Sequence, residues 1–327
     1  MDQWFDSAEG LRSLLAAIGY EMSITQLSQG VLRGRFQLGG APPVPVLSIT
    51  TNQMLVFEGD RKAGWLPFCI NTTQGDLPLV RGRTVPSNSL HGFCSDLQDA
   101  FFHLQPGCHL QIALVSRQRI EHLALASHEH RALELISTTN SACLPPERLE
   151  RFARLLQPQR LDPLQGELIE AEVLDLLGQR ELKRISSGEL SHRSDLMQQL
   201  IRWGQANPTT VISLEDLTAT VFASRSSIVH SCRSMFGIGP MALLKRIRLG
   251  QVQAALLDPE QRTALGCQTV QDVAGHYGFR SRNHFARDYR DLFGEAPSAT
   301  LQRSGASGIR CQPVSVAQSP QMAIARR

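Results

Sequence analysis

The chain has 327 residues, 42% hydrophobic and 19% charged, with a formal net charge of +3. This length leaves room for two domains, and the balance excludes a disordered or fibrous chain. No apolar run approaches the ~20 residues of a membrane span. The start, MDQWFDSAEG, lacks the basic and apolar regions of a signal peptide, and the seven cysteines are dispersed with no CxxC pair. A cytoplasmic protein with reduced thiols is therefore expected. The charge is uneven: Arg193–Arg303 holds 13 Lys+Arg against 9 Asp+Glu, and Arg310, Arg326 and Arg327 follow. A basic C-terminal module beside an acidic N-terminal one points toward phosphates.

An α+β architecture is expected. A helix is predicted over Ala8–Ile18. Residues 26–116 then hold short apolar or alternating runs: Val31–Leu38, Val44–Thr50, Gln53–Phe57, Trp65–Asn71, Ala100–Leu104 and Leu110–Val115. Breaks such as GGAPP, EGD, TTQGDLP, VPSNS and QPG separate them. Short strands at this spacing predict a small barrel or sandwich, a cupin-like barrel among them, and such a barrel can enclose a small ligand. From about His122 to Ile185 the pattern is helical. One helix is expected over Glu147–Gln157 and another over Gly166–Ile185, with Leu168, Ile169, Val173, Leu176 and Leu177 on one side and breaks at Pro158 and Pro163. Such stripes pack on their own domain or form a two-fold dimer seam. The expected division is residues 1–185 as an N-terminal domain for sensing or dimerisation, 186–194 as a polar linker, 195–303 as a second domain, and 304–327 as a disordered tail.

The second domain carries the chemistry. In Thr269–Gly294, Thr269 and Asp272 form a capping-box pattern, Gly278 ends a first helix, and Ser281 caps a second. Phe285, Tyr289, Leu292 and Phe293 give that second helix a buried face and leave Arg282, Asn283, Arg287 and Arg290 opposite. The same unit recurs upstream. Ser213, Leu214, Asp216 and Leu217 match Thr269, Val270, Asp272 and Val273 at an offset of 56; Ser224, Ile228, Arg233, Phe236 and Gly237 match Ser281, Phe285, Arg290, Phe293 and Gly294 at 57. The slip is one extra residue in the second turn. Two helix-turn-helix units are therefore expected, at about 214–236 and 270–293, joined by Pro240–Leu257. In that connecting helix Leu243, Leu244, Ile247, Val252, Ala255 and Leu256 approximate one stripe. Eighteen residues at about 1.5 Å each make roughly 27 Å, a length that suits two reading helices about one DNA turn apart.

The motifs SLEDL…SRSSI…FGIGP…RIRLGQVQAALL and TVQDVAGHYGFRSRNHFARDYRDLFGEAPS resemble the DNA-binding domain of the AraC/XylS family of bacterial transcription regulators, over about Asp195–Gln302. The resemblance implies seven helices in that domain, a regulatory N-terminal domain, double-stranded promoter DNA and RNA polymerase as partners, and activation as the usual outcome. It places base readers at Ser226, Val229 and His230 in the first unit and at Arg282, Asn283 and Arg287 in the second. Arginine pairs with guanine and asparagine with adenine in the major groove, so the second set is expected to carry most of the readout. Arg225, Arg233, Arg280 and Arg290 are expected on phosphates, which position without reading. The first unit departs from the family: Phe222 stands at the turn glycine and Thr218 at a small alanine, so its turn has either a different backbone or a strained one.

Lys245, Arg246 and Arg248 suit a solvated face or intramolecular partners. His128, His130 and Glu134 share the spacing of a cupin metal motif, but SHEHRALELIS reads as helix, where residues two apart point about 200° apart and do not chelate together. No cofactor, metal or catalytic residue is expected, and no enzyme. The leading expectation is a sequence-specific DNA-binding transcription regulator, an activator, controlled by a small-molecule effector or by homodimerisation through its N-terminal domain. The rivals are a low-specificity DNA-packaging protein and a cupin-like metalloenzyme fused to a DNA-binding module.

Overall fold

The computed structural model describes residues 1–40, 42–72, 79–80, 83–84, 88–158, 164–179, 182–185, 192–210 and 212–306. The first half comprises β1 (Asp2–Phe5), α1 (Ala8–Ala16), β2 (Met22–Gln26), β3 (Gly34–Gly39), β4 (Val46–Thr51), β5 (Leu55–Asp60), β6 (Trp65–Asn71), β7 (Leu79–Val80), β8 (Arg83–Thr84), β9 (Ser89–His91), β10 (Asp99–Leu104) and β11 (Cys108–Ser116). There follow α2 (Arg117–Ala126), α3 (His130–Thr138), β12 (Ser141–Cys143), α4 (Pro146–Leu155), α5 (Gln165–Gly178) and β13 (Lys183–Ile185).

These strands form two open antiparallel sheets rather than a closed barrel. One has the order β1-β3-β4-β11-β6-β9-β12-β13 and the other β2-β5-β10-β7-β8. Period-two alternation sorts their side chains. On β4, β6 and β11, Val46, Leu66, Phe68, Ile70, Ala113 and Val115 face the helices α2–α5. Leu47, Ile49, Leu110 and Leu114 point the other way, against Met22, Leu55, Phe57 and Leu104 of the smaller sheet. The sheets are thus a sandwich, with helices on the outer face of the larger one.

The expected all-helical stretch from His122 contains two short strands, β12 and β13. The helix expected to reach Ile185 stops at Gly178, and 183–185 pair with Ser141–Cys143. Three-residue strands show no alternation, so periodicity could not find them. Leu168, assigned to the buried stripe of α5, is 44% exposed, whereas Ile169, Val173, Leu176 and Leu177 are fully buried. The break at Pro163 and most of TTQGDLP lie outside the described residues.

The second half comprises α6 (His192–Ala206), α7 (Leu214–Thr220), α8 (Arg225–Phe236), α9 (Pro240–Leu257), α10 (Pro259–Ala264), α11 (Val270–His276), α12 (Arg282–Phe293) and α13 (Pro297–Ala306). Residues 186–191 of the expected linker and 307–327 of the expected tail lie outside the described residues; 192–194 belong to α6 and 304–306 to α13. The apolar residues of α9 do not form one stripe. Leu243, Leu244 and Ile247 join α6, α7 and α8, while Leu249, Val252, Ala255 and Leu256 join α11 and α12. At about 100° per residue the two sets face directions roughly 140° apart. The connecting helix therefore serves two cores on different sides.

The smaller sheet is buried on both faces. On β5, Leu55 and Phe57 point inward; on β10, Phe102 and Leu104 do so. The intervening Val56 and Phe101, with Leu27, pack instead on Leu196, Leu200, Phe236 and Leu243 of the helical domain. His103 turns the same way, its ring 6.0 Å from that of Phe236. Polar ties border this seam: Glu58 pairs with Arg202, Gln198 donates to Asp99 at 2.7 Å, Arg246 donates to the Leu27 carbonyl, and Arg303 pairs with Asp6. The backbone amide of Gly30 and the Gln26 Nε2 both donate to the Leu292 carbonyl, each at 3.0 Å. The last turn of α12 thereby receives donors that its own helix cannot supply.

Two outcomes test this layering. Burial pushes the His91 and His103 imidazoles down to about 4 from 6.5, so both are neutral in the fold. The unfolded chain takes up protons below about pH 6.5 and the folded one only near pH 4, so stability is full above 6.5 and declines as pH falls toward 4. Urea midpoints at pH 7 and pH 5 should show that decline, and His103→Phe should make it shallower. Gly237 and Gly294 both adopt φ +70, but a Cβ at Gly237 meets open space while one at Gly294 would lie 2.6 Å from Val31 Cγ2. Gly237→Ala should cost about 1 kcal/mol from the left-handed backbone alone. Gly294→Ala should lower the urea midpoint further, by loosening the contact with 30–31.

Candidate nucleic-acid interface

Each unit is built by the same local chemistry. Ser213 and Thr269 accept from the amides of Asp216 and Asp272, whose carboxylates accept in return from the backbone amides of Ser213 and Thr269. These reciprocal bonds satisfy free amides at the starts of α7 and α11. Hydrogen bonds from the Ser213 and Thr269 hydroxyls and backbone hold both carboxyls below the usual range. Ser224 and Ser281 cap α8 and α12 by accepting from Ser227 and His284. Both helices close on a left-handed glycine, Gly237 and Gly294, whose amides donate to the carbonyls of Arg233 and Arg290.

The turns differ by one residue, 221–224 against 277–281. At equivalent points stand Phe222, with φ +51, and Gly278, with φ +80. The first unit thus keeps the left-handed backbone and places a phenylalanine on it, 95% exposed. Of the two alternatives, the structure has the strained residue and not a different backbone.

On α12, Phe285, Tyr289, Leu292 and Phe293 are buried, and Arg282, Asn283, Arg287 and Arg290 are exposed. Helical spacing puts Asn283, Arg287 and Arg290 on one outward face, with Arg282 at the helix start. On α8, Ile228, Cys232, Met235 and Phe236 are buried. Ser226, His230 and Arg233 are exposed on the matching outward face, and Val229 is half-buried beside them. The register equates Ser226 with Asn283, His230 with Arg287, Arg233 with Arg290 and Arg225 with Arg282. Arg280 is exposed in the second turn.

The cations fall into two groups. Lys245 pairs with Asp288 at 3.0 Å. Arg246 and Arg248 donate to the carbonyls of Leu27 and Thr210, and burial pushes both guanidinium groups below their ordinary value. These three are occupied within the fold. Among the described residues no carboxylate pairs with Arg233, Arg280, Arg282, Arg287 or Arg290. Arg225 has one loose partner, Glu215 at 3.8 Å, with both side chains largely exposed. A surface pair of that kind contributes little. The arrangement can present unneutralised guanidinium groups to a polyanion and one amide to a base edge.

His128 lies in the turn before α3 with φ +58, and its ring is 6.5 Å from that of His130. Among the described residues no three His, Cys, Asp or Glu side chains are grouped to hold a metal ion. Among them, too, no helix is long and apolar enough to cross a membrane.

Residues 217–303 match a family model described as a helix-turn-helix domain. Over 136 residues the chain is 26% identical to the XylDLEGF operon transcriptional activator of Pseudomonas putida, covering 42% of this chain and 40% of that protein. It is 31% identical over 104 residues to the XylDLEGF operon transcriptional activator 2 of the same organism, covering 32% of this chain and 64% of that one. A solved structure of a probable AraC family transcriptional regulator from Rhodopseudomonas palustris CGA009 is 37% identical, covering 34% of this chain and 97% of that one, with a TM-score of 0.30. The chain spans about two fifths of the length of the first of these curated relatives. It carries a helix-turn-helix domain of the AraC type, duplicated as described. Its C-terminal third is where it resembles the AraC/XylS-type regulators.

The ties between 26–31 and the end of α12 were not legible in the sequence. The Gln26 bond joins residues 266 apart through a carbonyl, and no spacing rule reaches that far. The strain at Phe222 has a direct check. Phe222→Gly removes almost no packing and relieves a left-handed φ, so it should raise stability by about 1 kcal/mol in urea unfolding.

Proposed function

We propose that the chain is a sequence-specific DNA-binding transcription regulator, acting in the cytoplasm as an activator. In this reading α8 and α12 enter successive major grooves of promoter DNA. The N-terminal domain answers a small-molecule effector or mediates dimerisation, and RNA polymerase is the further partner. The observation that supports it best is the pair of outward faces in matching register, Ser226/His230/Arg233 and Asn283/Arg287/Arg290, with their arginines unpaired among the described residues. Arg282, Asn283 and Arg287 offer paired donors and acceptors to guanine and adenine, so most hydrogen-bonded readout falls to the second unit. Ser226, Val229 and His230 contribute fewer such contacts. Arg225, Arg233, Arg280 and Arg290 hold phosphates.

The test begins with selection of bound sites from random duplexes. Against the selected site, Arg282→Ala should cost about 1–3 kcal/mol and relax preference at one base pair. Arg290→Ala should weaken binding to all sequences alike and reduce the salt slope. Mobility-shift titrations at several salt concentrations read both. Equal affinity for every duplex would instead mark a packaging protein, and identical behaviour of the two variants would overturn the division of roles.

A further inference from the structure

The turn of the first helix-turn-helix unit carries a side chain that does nothing for the fold. Phe222 is 95% exposed, more than any other large apolar residue among those described. It sits at φ +51, a conformation that phenylalanine adopts only at a cost. Its neighbours hold it there. Val221 is buried and Ala223 packs on the same core, and the Ala223 amide donates to the Thr218 carbonyl at 3.2 Å. The turn is thus fixed on either side of Phe222, and the ring is left outside.

The second turn closes the same way with different chemistry. Tyr277 takes the place of Val221, and Phe279 that of Ala223. The Phe279 amide donates to the Ala274 carbonyl at 2.9 Å, and its ring packs on Phe285, centroids 5.0 Å apart. Gly278 stands where Phe222 does. The one extra residue is Arg280, exposed just before the Ser281 cap. The second turn therefore offers a cation and no outward ring, and the first an outward ring and no cation. Each lies at the amino end of a helix whose outward face is proposed to meet DNA. Phe222 is three residues before Arg225, the first residue of α8, a span of at most about 11 Å. A duplex with a phosphate on Arg225 is within reach of the ring. Between its phosphates the backbone presents the C–H groups of deoxyribose, an apolar surface that an aromatic ring can cover.

We propose that Phe222 is a DNA contact of a kind the second unit lacks. Its ring packs on the deoxyribose beside the phosphate held by Arg225, and does for the first turn what the Arg280 cation does for the second. This rests on the reading of the chain as a DNA-binding regulator. The contact is uncharged and releases no counterion, so it fastens the first unit without adding to the salt dependence. It touches no base edge, so it positions without reading.

Mobility-shift titrations of the full chain, against its selected duplex and an unrelated one at several salt concentrations, test the contact. Phe222→Gly and Phe222→Asn both suit the left-handed backbone. Each should weaken binding to both duplexes about tenfold, the worth of covering part of a phenylalanine side chain. The salt slope should stay as it is, whereas Arg225→Ala should lower it by about one. Phe222→Tyr should bind as the wild type does. The urea midpoint of Phe222→Gly should rise while its affinity falls, a divergence that a merely structural residue does not give. Hydroxyl-radical footprinting, which reads access to deoxyribose, should show sugars open in Phe222→Asn that the wild type protects. Unchanged affinity in Phe222→Gly, a lowered salt slope, or Phe222→Tyr as weak as Phe222→Gly overturns the proposal. Lost transcription with unchanged duplex affinity overturns it too, and gives the ring to a protein partner. A chain that binds no duplex refutes the regulator reading and this contact with it; one that binds and is indifferent to residue 222 refutes the contact alone.

Discussion

Two paired strands with both faces buried organise the molecule. The pair β5–β10 is in register from Leu55↔Leu104 to Asp60↔Asp99, and its residues alternate between two cores. Inward, Phe57 and Phe102 stack against the larger sheet. Outward, Val56, Phe101 and His103 meet the helical domain. Strand periodicity allows no intermediate placement, because a slip of one residue would exchange the two sets. The layers therefore follow in fixed order: helices α2–α5, the larger sheet, the smaller sheet, and the duplicated helical units. The first unit is set by this wall directly. The second is set through α9, which leaves one core and enters the other, and through the carbonyl of Leu292.

Charge is arranged with the same economy. Cations that face the seam or the connecting helix are taken up: Arg202 by Glu58, Lys245 by Asp288, Arg246 by the Leu27 carbonyl. Among the described residues Arg233, Arg287 and Arg290, on the outward faces of α8 and α12, pair with no carboxylate. An unpaired surface guanidinium is well hydrated and costs the fold nothing, so its position is free to answer a ligand's needs. This separation, more than the modest net charge, distinguishes the proposed DNA-facing side.

Much of this was legible in the sequence because it is local. Thr269 and Asp272, or Ser213 and Asp216, cap a helix through groups three residues apart, and such spacing survives translation into structure. The same holds for Phe285, Tyr289 and Leu292, and for strand β6, whose bounds match the apolar run Trp65–Asn71. What escaped has a non-local cause. Strands β1, β9, β12 and β13 have three or four residues each and exist because a neighbour offers an edge. The apolar residues of α9 look like one stripe until two cores are known to lie on different sides. Phe222 was visible as a departure, but its left-handed conformation was not.

The tie at Leu292 gives α12 a mechanical property. Twelve residues at about 1.5 Å make a rod of roughly 18 Å. It is held at its carboxyl end by Gln26 and Gly30, while Arg282 and Asn283 stand free at the other. Moving the 26–31 segment by about 1 Å tilts such a rod by roughly 3°, and the second unit, packed around Tyr289 and Phe293, turns with it as one body. The strand β2 that ends at Gln26 begins at Met22, whose side chain packs in the core between the two sheets. A handle for aiming the arginine-bearing end is thus anchored in the N-terminal domain.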